Sequence, residues 1–207
     1  MTASLGRRHL LDAAAQEFAE LGYAGATTAG IARRAQVTQP LVHHHFKSKE
    51  GLWLAVVAEL FTELQTELSS TATTQREAPR DERLRELLRA LVHFSGTRPL
   101  LSRLIRTEGR RDSEAFDLIY QRWLSPLVQF FRDEIEAATR DGTVRQFDPG
   151  LLYFLIVGAS VEGFAQPETA RRAFGLDLST PASIERYAEA VIEVLMRGIL
   201  TNQPPNA

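Results

Sequence analysis

The 207-residue sequence predicts an all-α protein, with an N-terminal three-helix head that forms a helix-turn-helix and a larger helical-bundle body behind it. Two observations support this fold class. Apolar residues recur at spacings of three and four along most of the chain, whereas the strict alternation of a β-strand is almost absent. In addition, the pairs Asp148-Pro149 and Thr180-Pro181 each place a capping residue before a proline, which is typical of a helix start.

The head is predicted from apolar stripes and from small polar residues that stand just before them. Gly22 ends the first helix, and Thr28, Thr38 and Ser48 are placed to cap the next three. Val37 lies in the tight turn between the second and third helices. The predicted helices cover about 7–21, 28–35, 38–46 and 48–69.

The body begins with a polar stretch, 70–79, which predicts a loop. Pro126 lies inside a long helical segment and should kink or split it. We expect residues 1–50 to form the helix-turn-helix head, 51–202 the helical body, and 203–207 a disordered tail. The helices predicted in the body cover about 80–95, 98–107, 113–140, 149–165 and 181–200.

Composition restricts the possible classes of function. The chain has 44% hydrophobic residues, enough for a sizeable core, and no cysteine, which excludes disulfides and cysteine-based catalysis. The N-terminus lacks the apolar segment of a signal peptide. The most apolar run, 151–161, is far shorter than the ~20 residues that span a bilayer. We therefore expect a soluble, cytoplasmic protein that makes no membrane contact.

Charge is distributed unevenly along the chain. Residues 1–50 contain six Lys or Arg and four Asp or Glu, a net of +2, which leaves 18 basic and 22 acidic residues, a net of −4, in the remainder. Four of the five histidines also lie in the first fifty residues. A basic head on an acidic body is a feature of proteins that bind nucleic acid phosphates through one end.

Residues 7–53 resemble the TetR family of transcriptional regulators. The matching positions run from Phe18 to Thr28, then Ile31-Ala32, Ala35, Val37-Thr38 and His44, and finally from Phe46 to Leu52. Beyond residue 53 only the helical layout, length and helix order are similar to the family. The resemblance implies a homodimeric regulator that binds a palindromic double-stranded DNA operator and is released by a small-molecule effector. Repression is the usual outcome in the family, and the alternatives are activation and regulation without a ligand. The resemblance also implies that residues 1–50 are the DNA-binding domain and 51–202 the effector-binding and dimerisation domain.

The resemblance also implies which residues meet DNA. Gln39 is the best candidate for a base contact, because its amide can pair with adenine, and the alternative is a surface residue without a base contact. The family's aromatic residues are replaced here by His43 and His45, which can donate hydrogen bonds more strongly when protonated. Consecutive histidines point about 100° apart on a helix, so we expect no metal site. The implied DNA-binding residues are Thr28, Thr38, Gln39, Pro40, Leu41, His43, Lys47 and Lys49.

The last helix and the helix over 149–165 carry the surfaces expected to join two subunits. The second of these is apolar nearly all round, so that one face suits the core and the other needs a partner. The resemblance implies a four-helix bundle between subunits, and the alternative is that both stripes belong to the core. The expected interface residues are Leu155, Ala159, Tyr187, Val191 and Leu195.

Aromatic residues are concentrated in the middle helices, where the resemblance implies an effector cavity. Their alternative role is core packing. We expect a largely apolar, small effector. Arg103, Arg106 and Glu108 could orient a ligand or form surface ion pairs, and we favour the ion pairs, although Arg103 is included among the ligand-binding candidates. The predicted ligand-binding residues are Phe94, Arg103, Phe116, Tyr120, Trp123 and Phe154.

Two other classes of function were weighed. A helical enzyme is not expected, because the sequence has no nucleophile elbow, phosphate-binding glycine loop or metal-ligand cluster, and no cofactor is expected either. The remaining alternative is a small-molecule-binding helical protein with weak or vestigial DNA binding. Operator binding that weakens steeply with salt would argue against that alternative.

Overall fold

The computed structural model describes residues 2–110 and 113–201, with side chains from residue 6 onward. No β-strand occurs among these residues, and the predicted all-α fold class is confirmed. The predicted tail, 203–207, lies outside the described residues. The helices are α1 (Thr2–Gly25), α2 (Thr28–Arg34), α3 (Gln39–Phe46), α4 (Lys49–Thr74), α5 (Arg80–Thr97), α6 (Pro99–Glu108), α7 (Glu114–Ile119), α8 (Ser125–Arg140), α9 (Pro149–Ala165), α10 (Pro167–Phe174) and α11 (Pro181–Ile199), with a π-helical turn, Tyr120–Leu124, between α7 and α8.

The helix starts and stops of the head follow the sequence with two corrections, at the caps of α2 and α3. Gly22 interrupts α1, as expected, because its φ of 73° and ψ of 172° are not helical. The cap of α2 is Thr27 rather than Thr28: the Thr27 side chain accepts from the backbone N–H of Gly30. Thr38 precedes α3 but makes no side-chain capping bond. Ser48 does cap α4, since its Oγ accepts from the N–H of Gly51 at 3.0 Å.

The turn between α2 and α3 is held by the backbone. Gln36 adopts a left-handed conformation with φ of 55°, and the N–H of Val37 donates to the carbonyl oxygen of Ala32 at 2.9 Å. This is the hydrogen-bonding pattern of a Schellman helix end, in which a left-handed residue reverses the chain. The turn therefore sets the direction of α3 relative to α2.

α4 continues to Thr74, past the end predicted at Ser69. The polar residues of this segment favour a loop when their side chains compete with the backbone. Here the hydroxyls of Thr71 and Thr73 instead donate back to the carbonyl oxygens of Glu67 and Ser69, one turn earlier. The helix can therefore extend through a stretch of small polar residues.

The predicted long helix over 113–140 is divided at Pro126, as expected. Proline has no N–H, and in a regular α-helix its ring meets the carbonyl group four residues earlier, here that of Arg122. The π-helical turn covers this position, and α8 starts directly after it. α10 was not predicted, although Glu168 pairs with Arg171 and Arg172 along it and Gly175 ends it in a left-handed conformation.

The chain forms two compact units. The first comprises Met1–Glu63 and Leu100–Leu124, and the second Leu64–Pro99 and Ser125–Ala207. Phe18 lies at the centre of the first, with its ring centroid 4.8 Å from that of Trp53 in an edge-on arrangement. The predicted head thus lies within a unit that also contains α6, α7 and the π-helical turn.

In the second unit α5, α9 and α11 pack around an apolar cluster, which consists of Val92, Phe164, Ile184, Ala188 and Val191. Two of its helix starts agree with the sequence prediction. Asp148 accepts from the N–H groups of Gly150 and Leu151, at 2.8 and 3.0 Å. Thr180 and Ser183 form a reciprocal capping box at the start of α11.

The described helices differ in length and apolarity. None of them is by itself long and apolar enough to span a bilayer, and only α9 and α10 taken together, bent by 79° at their junction, reach the required length and composition.

Candidate nucleic-acid interface

α3 presents one polar face away from the core. Its inner side is fixed by Val42 and Phe46, which are 1% and 7% exposed. Leu41 and His45 are half-buried at the edge of this inner side. The spacing leaves a contiguous exposed surface, which we call the outward face of α3, formed by Gln39, Pro40, His43 and His44.

Two predicted DNA-binding residues from different helices meet beside this face. The amide Nε2 of Gln39 donates to Oγ1 of Thr28, the first residue of α2, at 3.1 Å. Because the hydroxyl accepts this bond, its own proton remains available for another acceptor. Thr38, just before α3, is exposed as well. The N-terminal ends of α2 and α3 thus place a group of polar side chains together.

The two lysines after α3 have different surroundings. Lys47 is exposed at the end of α3, with φ of 63°. Lys49 is held within the first unit: its ammonium donates to the carbonyl oxygen of Ala26 at 2.9 Å and lies 4.6 Å from the centre of the Tyr23 ring. Burial, together with the charge of Glu50, raises the pKa of the Tyr23 phenol. Lys49 therefore braces the junction of α1 and α2, a role that the sequence did not predict.

Not every basic residue of the head contributes free positive charge. Arg34 of α2 bonds to two carboxylates of α1: its Nη2 lies 2.5 Å from Oε2 of Glu20, and its Nε 2.9 Å from Oε2 of Glu17. The hydrogen bond with Glu20 is the main cause that raises the pKa of Arg34. Glu17 also explains why residue 30 is a glycine, because a Cβ added at Gly30 would collide with the Glu17 carboxylate. Sequence reasoning missed this contact between α1 and α2.

The end of α6 contacts the end of α1 inside the first unit. Glu108, which the sequence favoured as a surface ion pair, is instead 2% exposed and accepts from the backbone N–H of Tyr23 at 2.6 Å. The hydroxyl of Thr107 donates to the carbonyl oxygen of Ala19 at 3.1 Å. The expectation for Glu108 was wrong, because helix periodicity does not show that α1 covers this turn of α6. A displacement of α6 would act directly on α1.

The six residues predicted to bind an effector are distributed over both units. Arg103, Phe116, Tyr120 and Trp123 belong to the first, and Phe94 and Phe154 to the second.

Their exposure separates core residues from surface residues. Trp123 is buried and stacks on Phe61, with ring centroids 6.2 Å apart, and Phe94 is also buried. Phe154 is 73% exposed in the chain, which corrects its placement in a cavity. Arg103 and Phe116 are half-buried. An apolar crevice does occur in the second unit, but its lining, which includes Phe131, contains none of the six.

The residues predicted for the subunit interface also differ in their exposure. Leu155 is exposed on α9, whereas Val191 is 7% exposed and belongs to the apolar cluster of its own chain. Ala159, Tyr187 and Leu195 pack against that cluster, and the Tyr187 hydroxyl donates to the carbonyl oxygen of Ala159 at 2.8 Å. The prediction that Val191 lies in the subunit interface is thus corrected, because the inner sides of α9 and α11 pack on each other within one chain.

A larger apolar surface is open on the outer side of α9. Leu151, Phe154 and Leu155 are all exposed there, at spacings of three and one, and Gly158 follows on the same side. We call these four residues the outer face of α9. On α11, Val194 is 72% exposed. Because α9 is apolar nearly all round, the sequence predicted that one side packs in the core and another needs a partner. Only the structure shows which side the chain itself leaves exposed.

Comparison with known proteins agrees with this arrangement. Residues 10–56 match the family model described as bacterial regulatory proteins of the tetR family, and residues 77–205 match the tetracyclin repressor-like C-terminal domain. The regulator BetI of Brucella anthropi is 28% identical over 94% of this chain and 95% of its own length. The transcriptional repressor DhaR of a Mycobacterium species is 29% identical over 74% of this chain and 77% of its own length.

Solved structures show the same fold. The ketosteroid transcriptional regulator KstR2 of Mycobacterium tuberculosis superposes with a TM-score of 0.76 at 21% identity and covers 95% of each chain. AibR, in a complex with isovaleryl coenzyme A and operator DNA, superposes with a TM-score of 0.72 at 21% identity, covering 92% of this chain and 98% of its own. With a matched C-terminal model over more than half of its length and a matched helix-turn-helix, the chain belongs to the TetR family of DNA-binding transcriptional regulators.

Proposed function

We propose that the chain is a ligand-responsive repressor that binds a palindromic operator as a homodimer and is released by a small, largely apolar effector. The observation that carries this proposal is the outward face of α3. It is exposed, free of acidic residues, and flanked by Thr28 at one end and Lys47 at the other. A helix of this kind is what enters the major groove in helix-turn-helix proteins.

The residues around this face suggest separate roles. Gln39 would read a base edge, since an amide can pair bidentately with adenine, and Leu41 would contact a thymine methyl. Thr28 would donate its free hydroxyl proton to a phosphate, and Lys47 would supply charge nearby. Lys49 would support these contacts by holding the start of α2, rather than by presenting a free ammonium.

Dimerisation would cover the outer face of α9. Three large apolar side chains on one side of a helix form the kind of exposed patch that usually marks an interface. A second copy is the natural occupant, because a homodimer brings two reading helices to the half-sites of a palindrome about one helical turn apart. Joining two heads in one dimer also raises the affinity for the operator, since binding of the second head becomes intramolecular.

Related regulators support an apolar effector. KstR2 is described as a ketosteroid transcriptional regulator, and AibR has been crystallised with isovaleryl coenzyme A, so in AibR this fold accommodates a ligand with an apolar acyl group. In this chain Phe116 and Tyr120 offer aromatic surface that is not fully buried. Release would follow a population shift, in which the effector binds more tightly to the state that does not fit the operator. The hydrogen bond from the N–H of Tyr23 to Glu108 would transmit a movement of α6 directly to α1.

Selection of genomic fragments by the purified protein tests the proposal. We expect one enriched palindromic motif, and we expect the affinity for that motif to fall steeply as salt rises, because phosphate contacts release counterions. No enriched motif, or binding that salt does not weaken, would contradict the repressor function and favour a helical ligand-binding protein.

A further inference from the structure

His43 occupies the middle of the outward face of α3. It lies one turn after Gln39, and its ring is exposed. Its Nδ1 lies 3.2 Å from the backbone carbonyl oxygen of Lys47. The ring is thus oriented by the end of its own helix and leaves the other nitrogen, Nε2, toward the surroundings.

This contact fits only one tautomer of the neutral ring. A carbonyl oxygen can only accept, so the bond to Lys47 requires a proton on Nδ1. The neutral form of His43 then has a bare lone pair on Nε2, which is an acceptor. Phosphate oxygens are acceptors as well, so a neutral ring offers them no bond. When Nε2 gains a proton, the same ring becomes a cationic donor that can bind a phosphate oxygen.

Among the described residues, the charged groups around α3 leave His43 without a carboxylate partner. None of the ion pairs formed by the described residues involves His43, and the carboxylates Glu17 and Glu20 of α1 are bound to Arg34. A bound phosphate favours the protonated form of a ring that faces it. The titratable and charged side chains on α3 and on the elements around it are Arg7, Arg8, His9, Asp12, Glu17, Glu20 and Tyr23 of α1, Arg33 and Arg34 of α2, His44 and His45 of α3, Lys47, and Lys49, Glu50, Glu59, Glu63 and Glu67 of α4.

We propose that DNA binding by this protein is coupled to protonation of His43 on Nε2, so that each bound subunit takes up a proton and operator affinity rises as the pH falls. This inference rests on the proposed operator binding and adds a regulatory signal to it. Histidine is the side chain that ordinarily changes charge between about pH 5 and pH 8, so the effect falls in a physiological range. A drop in internal pH would strengthen repression.

Fluorescence anisotropy of the full-length protein on two labelled duplexes tests this inference. One duplex carries the motif enriched in the genomic selection, and the other carries the same bases in scrambled order, measured at low salt. If each subunit takes up one proton on binding, the association constant rises by up to about tenfold for each subunit when the pH falls by one unit. We expect binding to the motif to be at least about tenfold tighter at about pH 6 than at about pH 8.

Variants separate His43 from the other histidines. His43→Gln should bind with an affinity nearly independent of pH, and His43→Arg should bind tightly at both pH values because its charge is permanent. His93→Gln, on α5 of the second unit, is the control and should retain the wild-type dependence. Circular dichroism at each pH checks that every variant remains helical.

The possible results are distinguishable. If His43→Gln keeps the full pH dependence, or if His44→Gln loses it instead, the assignment to His43 is overturned. Motif binding that does not depend on pH overturns the inference and leaves the repressor function intact. Failure to bind either duplex at any pH would refute operator binding and, with it, this inference.

Discussion

Replacing Phe154 with alanine tests whether the outer face of α9 joins two subunits. A fully buried phenylalanine covers about 150–250 Å². Since Phe154 is 73% exposed in the single chain, a partner can cover on the order of 150 Å² at this residue. Alanine would keep about a third of that area, so each subunit would lose on the order of 100 Å² of apolar burial, or ~2.5 kcal/mol at ~25 cal/mol per Å².

Two-fold symmetry doubles this loss. The two copies of the substitution would weaken the dimer by up to about 5 kcal/mol, which raises the dissociation constant by between about three and four orders of magnitude. Sedimentation velocity over a wide concentration range measures this shift directly. We expect the variant to sediment as a monomer at concentrations where the wild type is dimeric.

The chain provides a matched control in Phe174. It is the same residue type, 75% exposed, and lies on α10 rather than on the outer face of α9. Phe174→Ala should leave the dimer unchanged. The reasoning is refuted if Phe154→Ala dissociates no more readily than the control, or if both substitutions weaken the dimer equally.

Three further predictions concern the head and the contacts that support it. Gln39→Ala should relax base preference at one operator position at a loss of ~1–3 kcal/mol, measured by anisotropy on single-base operator variants, and equal losses on all sequences would contradict a base contact. Gly51→Ala should lower the free energy of unfolding by about 1–3 kcal/mol, because its Cβ would strike a backbone carbonyl, whereas Gly198→Ala, with open space around it, should not destabilise in the same urea titration. Glu108→Ala should cost about 1–3 kcal/mol by leaving the N–H of Tyr23 without its carboxylate partner, and an unchanged melting temperature would show that the bond contributes nothing.

Much of the architecture could be predicted from the sequence, because it depends on local chemistry. Gly22 breaks a helix because it can adopt a backbone conformation that other residues avoid, and Asp148 and Thr180 start helices because their side chains accept from the N–H groups of the first turn. Pro126 divides a helix because it lacks an N–H. These effects depend on a few consecutive residues, so sequence is sufficient for them.

Two neighbouring candidates for the cap of the same helix were harder to distinguish from the sequence. Thr27 and Thr28 have the same capping group, and only the extended backbone at Thr27 makes it the cap of α2. Thr28 is thereby left to accept from Gln39 across the turn. Propensity ranks residue types and cannot separate two neighbouring threonines.

By itself, the sequence determined the helical fold class, most helix boundaries and the membership of a family with a helix-turn-helix, because these depend on periodicity and short motifs. The tertiary structure decided which side of each helix is covered. Glu108 is buried because α1 lies against it, Lys49 is occupied by a carbonyl oxygen, Val191 is inside its own chain, and Phe154 is open to a partner. The physical reason is that periodicity shows that a face is apolar or polar, whereas burial and hydrogen-bond partners depend on elements far away in the chain.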